Sequence, residues 1–186
     1  GYFMGEHGFW DKRIAYESSI KIPLIIRYPR LVKPGSKSPE ICLNIDVAPT
    51  ILDLANLPIP EIMQGESMVK LLRNGSDPTW RKSMLYQYYV DDEYPFAGPD
   101  MVAIKTDRYK LVDNSLKDDI DELYDLEADP GEMTNLIEKK ELADTKKDLL
   151  AELEELKGKF AYNPDRDWWL RQVAPKKPKV KKKKNQ

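Results

Sequence analysis

The chain has 186 residues, of which 41% are hydrophobic and 33% are charged, enough apolar material for about one globular domain with a buried core. Seven of its 30 basic residues are lysines within residues 176–186. The other 175 residues, with 23 basic and 32 acidic side chains, therefore carry a net charge of −9. This acidic body argues against nucleic acid as a partner. No apolar run reaches the length of about 18 residues that a membrane span needs.

Residues 1–80 predict the C-terminal end of an α/β domain. Residues 22–26 are an almost unbroken apolar run, typical of a strand buried on both faces of a parallel sheet, and residues 41–45 predict another short strand. Parallel strands come in sets, and the pattern supplies only these two. The chain also starts without an initiator methionine. We therefore expect the missing N-terminal part of the same domain to complete the sheet.

Short helices are predicted around these strands. Residues 1–13 follow no period and predict a loop, and residues 14–20 predict a helical turn. A longer helix begins at Asp46, which we expect to act as its N-cap and not as a metal ligand. A further helix ends at Gly75, the residue type that most readily closes a helix.

A separate subdomain is predicted for residues 81–162, where the apolar period changes to that of strands. Three strand-like runs predict a small antiparallel sheet. Leucines at helical spacing over residues 141–158 predict the longest helix, with Gly158 at its end. Residues 163–186 predict a loop and a disordered lysine-rich tail, for which a nuclear-import signal or a grip on an anionic polymer is the alternative.

The segment GEHGFWDKR, residues 5–13, concentrates the chemically active side chains. It holds the only histidine, His7, between two glycines, and then Lys12 and Arg13. Glycine lets a backbone approach a ligand closely, and several cationic donors suit an oxyanion. From these residues alone an ordinary surface loop stays the alternative. One histidine among scattered acids does not make a metal site.

Four segments stand in order along the chain: GYFMGEHGFWDKR, YESSIKIPLIIRYP, NIDVAPTILDLANLPIPEIMQGESMVKLL and ELYDLEADPGEMTNL. Together they resemble the C-terminal half of the type I sulfatases, most of all the N-acetylglucosamine-6-sulfatases and the bacterial polysaccharide sulfatases. The resemblance implies an alkaline-phosphatase-like α/β fold. Residues 1–80 would be the C-terminal part of its mixed-sheet domain, and residues 81–162 a small subdomain of antiparallel sheet and helix.

The resemblance also implies an activity, the hydrolysis of sulfate esters of a carbohydrate or glycosaminoglycan. The family uses a calcium ion (Ca2+) and a formylglycine nucleophile formed in the motif C-x-P-S-R. This chain lacks that motif, and the metal ligands of the family precede the position of Gly1, so no metal ligand is assigned here and the chain alone is expected to be inactive. A periplasmic or secreted location is implied by the family only.

Few site residues carry over from the family. Lys12 matches the lysine that contacts the sulfate group, which makes it the candidate catalytic and substrate-binding residue because a fixed cation stabilises charge on the sulfuryl oxygens. His7 is the second candidate for substrate binding. Arg13 and Glu17 are expected to brace the loop against the domain.

Two other functions stay open at this point. A phosphodiester or phosphonate hydrolase of the same superfamily would use Lys12 equally well, and the nucleophile upstream would distinguish it. A non-catalytic glycan- or partner-binding module would use the tyrosine-rich strand, although tyrosines in strands mostly serve packing. The tyrosines concerned are Tyr86, Tyr88, Tyr89 and Tyr94.

Overall fold

A computed structural model describes residues 1–89, 100–114 and 119–165 of the chain. Its N-terminal half contains two very short strands and three helices: β1 (Phe3–Met4), β2 (Trp10–Asp11), α1 (Glu17–Ile20), α2 (Val47–Leu54) and α3 (Val69–Asn74). Its C-terminal half contains four strands and the longest helix: β3 (Ser83–Tyr88), β4 (Met101–Thr106), β5 (Tyr109–Asp113), β6 (Glu122–Asp125) and α4 (Ala143–Lys159). Single 3₁₀ turns lie at Glu6–Gly8, Asn44–Asp46 and Lys140–Leu142.

The C-terminal strands form an antiparallel meander in the order β3-β4-β5-β6. The register pairs Tyr88 with Met101 and Leu111 with Leu123. Because successive side chains point to opposite faces of a strand, Val102 and Ile104 face one side of the sheet while Met101 and its alternate neighbours face the other. All of the first four residues of β4 are buried, so both faces of the sheet are covered.

Helix α4 covers one of these faces. Leu149 and Leu153 on the helix are buried against apolar side chains of the sheet. The residues of this core are Val102, Ile104, Leu111, Leu123, Ile137, Leu149 and Leu153. The spacing of the leucines predicted this helix, and the prediction is confirmed, although the helix runs through Gly158 to Lys159 instead of ending at the glycine.

The N-terminal segment covers the opposite face of the same sheet. Ala15, only 2% exposed, packs against Met101, Ala103 and Val112. The predicted loop over residues 1–13 is in fact a small hairpin, because β1 and β2 pair antiparallel with Phe3 opposite Asp11. The helical turn predicted over residues 14–20 is confirmed as α1.

The two strands predicted over residues 22–26 and 41–45 do not form. Both segments lack regular strand structure, and Ile25 is 90% exposed. A strand needs a neighbour to which its backbone can hydrogen-bond, and the described residues place none beside these runs. The side chains of Ile22, Leu24 and Ile25 therefore stay exposed, while Ile26 and Cys42 pack against a small core of Met68, Leu71 and Trp80.

The other differences are local. One of the three predicted strand runs, VAIKTDRYKLV at residues 102–112, folds back at residues 107–108 into β4 and β5, so the sheet has four strands. Helices α2 and α3 are confirmed, and Gly75 closes α3 in the left-handed conformation with φ 83°. Tyr94 and the lysine-rich tail from residue 166 onward lie outside the described residues. Within those described, no helix has the length and hydrophobicity of a membrane span.

Asp46 does not act as the N-cap of α2, since its side chain makes no capping hydrogen bond to that helix. The carboxylate is fully buried and accepts two hydrogen bonds from the guanidinium of Arg81, one of them at 2.7 Å. It also accepts the backbone N–H groups of Leu43 and Glu66 at 2.7 and 2.8 Å. The prediction failed because a distant arginine, not the helix, supplies the partner.

The core under α4 sets the stability of the sheet subdomain. Leu153 is 0% exposed, so we expect Leu153→Ala to lower the free energy of unfolding by about 2–5 kcal/mol through lost burial and a residual cavity. The measurement is urea unfolding followed by circular dichroism. The exposed Glu155→Ala on the same helix is the control, expected within about 0.5 kcal/mol of the wild type. Equal effects of the two substitutions would contradict the packing described.

Candidate functional site

The hairpin that carries the candidate site has an unusual backbone. Three of its non-glycine residues have positive φ: His7 (53°), Asp11 (80°) and Arg13 (102°). Non-glycine residues are uncommon in the left-handed region, and this conformation costs free energy that contacts with the surroundings must offset. The contacts of the hairpin therefore decide whether its side chains keep their positions.

His7 lies at the turn of the hairpin and is half-buried. Its ring stacks on Tyr16 with 4.1 Å between the ring centroids and 26° between the planes. It also meets the edge of Phe3 at 6.4 Å, and Phe3 itself is fully buried. The imidazole is thus held by aromatic neighbours.

Lys12 is exposed and borders an open groove of about 1670 Å³, whose lining includes Ile25, Tyr86 and Tyr88. His7 does not line this groove, so the structure places the two candidates on one hairpin without bringing them into contact. Continuing the register of β1 and β2 by one residue sets Tyr2 opposite Lys12. The first residues of the chain and the lysine therefore lie at the same end of the hairpin.

Arg13, next to Lys12, is tied to three elements. Its backbone N–H donates to Ser19 Oγ on α1 at 3.0 Å, and its carbonyl accepts the hydroxyl of Tyr86 on β3 at 3.0 Å. Its guanidinium pairs with Asp11 at 3.0 Å. Burial raises the pKa of Tyr86 to about 12, so this hydroxyl keeps its proton at neutral pH. The expectation that Arg13 braces the loop is confirmed by these contacts.

Glu17, at the start of α1, joins the segment to the sheet through two lysines. Its Oε2 accepts Lys105 Nζ at 2.8 Å, and its Oε1 forms an ion pair with Lys110 Nζ, also at 2.8 Å. Lys110 is fully buried and donates in addition to Glu132 Oε1 at 2.6 Å. The other oxygen of Glu132 accepts the backbone N–H of Glu17 at 2.6 Å. Glu17 thus braces the loop, as expected.

The pKa of Glu17 reflects this balance. Burial alone would raise the pKa of its carboxyl, but the charge of Lys110 and the hydrogen bonds from both lysines outweigh burial and lower it below 4.5. The carboxylate is therefore the stable form at neutral pH, and its ion pairs persist there.

A chain of aromatic and acidic side chains was missed by the sequence reasoning. The hydroxyl of Tyr16 lies 3.2 Å from that of Tyr124 on β6, and Tyr124 donates to Glu122 Oε2 at 3.0 Å. Both tyrosines stand in segments that carry the family resemblance, and that resemblance was the signal in the sequence that could have pointed to them. Their pairing across 108 positions of sequence was not visible in either segment.

The tyrosine-rich strand proposed as a binding edge is tied into the structure where it is described. Tyr86 holds Arg13, and the hydroxyl of Tyr89 donates to the backbone carbonyl of Asn163. Burial also raises the pKa of Tyr89 to about 12. These two side chains therefore serve packing, which favours the structural interpretation of the strand.

The described residues do not supply a metal site. Among them, no group of three or more His, Cys, Asp or Glu side chains is placed to hold an ion. Cys42 is half-buried, and burial with the nearby carboxylate of Asp46 raises the pKa of its thiol, which disfavours a reactive thiolate.

Comparison with known proteins decides the family. A family model described as "N-sulphoglucosamine sulphohydrolase, C-terminal" matches residues 5–159, a range that includes His7, Lys12 and the sheet behind them. The chain belongs to this family. The resemblance to sulfatases is therefore confirmed, and with it the alkaline-phosphatase-like α/β fold in which an antiparallel sheet and a helix form the C-terminal subdomain.

Members and neighbours of the sulphohydrolase family match most of the chain. An N-acetylglucosamine-6-O-sulfatase of Bacteroides thetaiotaomicron is 44% identical over 172 residues, which cover 89% of this chain and 30% of that protein. A protein solved in complex with its substrate D-glucosamine-2-N,6-O-disulfate superposes with a TM-score of 0.84 at 40% identity, over 88% of this chain and 33% of that one. The chain thus spans about a third of the length of these relatives.

A phosphonate monoester hydrolase from Silicibacter pomeroyi shares the fold as well. It superposes with a TM-score of 0.71 at 24% identity, over 86% of this chain and 33% of its own. At this identity the likeness concerns the fold alone. The sulphohydrolase family is supported by both sequence and structure, and the phosphonate hydrolases by structure only.

The ion pairs of Glu17 give a pH-dependent contribution to stability. We expect Glu17→Gln to lower the free energy of unfolding at pH 7 by about 2–3 kcal/mol, since it removes a charged hydrogen bond to Lys105 and the ion pair with the buried Lys110. Because the pKa of Glu17 is lowered in the folded chain, this difference is fully present above pH 4.5 and shrinks as the pH falls through the lowered value.

The measurement is urea unfolding of both chains between pH 7 and pH 3. The exposed Glu61→Gln is the control, expected to show no comparable loss at either pH. A loss for Glu17→Gln that is as large at pH 3 as at pH 7 would contradict the ion pairs described.

Proposed function

We propose that this chain is the C-terminal part of a sulfatase that hydrolyses sulfate esters of a carbohydrate, with 6-O-sulfated N-acetylglucosamine as the first candidate substrate. The observation that carries the proposal is the family match over residues 5–159, together with 44% identity to a relative named for that substrate class. We call the whole enzyme the parent protein.

Lys12 is the residue to which we assign the catalytic contact. The neighbouring Arg13 is fixed by α1 and β3, so the lysine projects from a braced backbone into open space at the groove. A fixed ammonium there stabilises negative charge on the sulfuryl oxygens and on the leaving oxygen in the transition state. His7 is assigned a second contact with the substrate.

The calcium ion and the formylglycine of the family belong, in this proposal, to residues before Gly1. The residues that the structure describes do not form a donor set of their own. The register of the hairpin is consistent with this placement, because a segment that leads into Gly1 arrives at the end of the hairpin where Lys12 lies.

The partner of the exposed apolar surface is, in this proposal, the N-terminal part of the same domain. Ile25 and Ile62 are about nine-tenths exposed. Ile22, Leu24 and Ile51 are each about half exposed or slightly more. Apolar surface of this extent is typical of a surface that another part of the protein covers. Strands of the parent protein beside residues 22–26 would also supply the missing hydrogen bonds.

The phosphonate or phosphodiester hydrolase is the second candidate, because the shared fold includes such an enzyme. The coding sequence upstream of Gly1 separates the two. A C-x-P-S-R motif and an Asp-Asn pair before Gly1 support the sulfatase, while an unmodified Thr or Ser nucleophile supports the alternative.

Substitution of Lys12 in the parent protein tests its role. We expect Lys12→Ala to lower kcat/KM for sulfate release from 6-O-sulfated N-acetylglucosamine by about 10²–10³-fold, and Lys12→Arg to recover part of it because the charge remains. The control is Lys70→Ala, which removes a lysine that is 74% exposed and 3.8 Å from Asp77. A value for Lys12→Ala within about threefold of the wild type would refute the assignment.

The chain alone is expected to be inactive. The purified 186 residues, supplied with calcium and an aryl sulfate, should release sulfate no faster than buffer, because the nucleophile is expected upstream. The parent protein under the same conditions is the positive control. Enzyme-like turnover by the chain itself would overturn the proposed division of the site.

A further inference from the structure

The imidazole of His7 is held by a stack that has its own support. Tyr16 lies parallel to the ring at 4.1 Å, and it also contacts the fully buried Phe3 at 6.1 Å between ring centroids. Aromatic pairs at such distances have preferred geometries, so the stack restricts the rotation of the imidazole.

The support of Tyr16 comes from the C-terminal sheet. Tyr124 on β6 donates its hydroxyl proton to Glu122. The hydroxyls of Tyr16 and Tyr124 lie 3.2 Å apart, so a hydrogen bond joins the two tyrosines. These contacts therefore link Tyr16 through Tyr124 to the carboxylate of Glu122.

We infer that Tyr16 is a positioning residue for His7, which sets the orientation of the imidazole toward the sulfated substrate through the stack that Tyr124 and Glu122 support. This inference rests on the proposed function, since it requires that His7 contacts the substrate. In this inference Tyr16 acts through His7 and takes no part in the reaction itself.

Two observations favour a positioning role over ordinary packing. His7 has φ 53°, in the left-handed region that few non-glycine residues adopt, and its surroundings must hold it there. Burial raises the pKa of Tyr16 and that of Tyr124, so both hydroxyls keep their protons and the hydrogen-bonded chain persists at the pH of an assay.

A double-mutant cycle in the parent protein tests the inference. We expect Tyr16→Leu to lower kcat/KM by about 30-fold, and Tyr16→Phe by only about threefold because the phenyl ring keeps the stack. In a His7→Ala background, Tyr16→Leu should lower it by less than about twofold, because no imidazole is left to orient. The full loss in that background would show a general structural role and overturn the inference.

The matched control is Tyr109→Leu. Tyr109 is a partly buried tyrosine of β5 that packs at the core under α4, away from the hairpin. Its substitution should have the same effect on kcat/KM with and without His7. Thermal unfolding of every variant identifies those that lose the fold, and Tyr16→Phe keeps the cycle interpretable if Tyr16→Leu unfolds.

A second measurement does not depend on activity. His7 is the only histidine of the 186-residue chain, so its Hε1 proton gives one NMR signal. The stack should displace this signal upfield in the wild type and in Tyr16→Phe, relative to Tyr16→Leu. No displacement overturns the inference even if the parent protein is a sulfatase. A parent protein without sulfatase activity refutes the proposed function and the orientation of substrate together, even if the displacement is found.

Discussion

The buried ammonium of Lys110 is the interaction on which the arrangement of the site depends. Lys110 on β5 stands directly opposite Lys105 on β4, and two facing lysines repel each other. A buried ammonium also loses its hydration and needs compensating charge. Glu17 meets both requirements with one oxygen toward each lysine, and Glu132 completes the charge balance. The sheet therefore requires a carboxylate from the N-terminal segment, and this fixes where α1 lies.

The position of α1 determines in turn how the hairpin is held. The pairing of β1 with β2 spans only two residues of each strand, so it does not by itself hold the hairpin residues that have left-handed backbone conformations. Polar side chains of the sheet hold the segment at Glu17, which both Lys105 and Lys110 contact, at the carbonyl of Arg13, which accepts from Tyr86, and at Tyr16, which meets Tyr124. The C-terminal subdomain thus supports the backbone from which the candidate site residues project.

The sequence predicted those features that depend on local pattern. Alternation predicted the antiparallel sheet, and leucine spacing predicted α4, because each pattern reports burial within one element. It could not predict the partner of Asp46 or the pairing of Tyr16 with Tyr124, since both depend on segments that meet only in the fold. Residues 22–26 have strand composition, but a strand also needs a hydrogen-bonding neighbour. The glycines and cations around His7 and Lys12 singled out their segment, but only the family resemblance favoured a substrate site over an ordinary surface loop.

The ion pair of Asp46 with Arg81 has a consequence for protein engineering. A recombination crossover between residues 80 and 81, where the sequence pattern changes, would separate a buried carboxylate from its guanidinium and Arg81 from the ring of Trp80, over which it lies at 4.6 Å. A chimaera built from two sulfatases would then inherit the acid from one parent and its base from the other. Exchanges of the C-terminal subdomain therefore need a junction that keeps Asp46 and Arg81 from the same source.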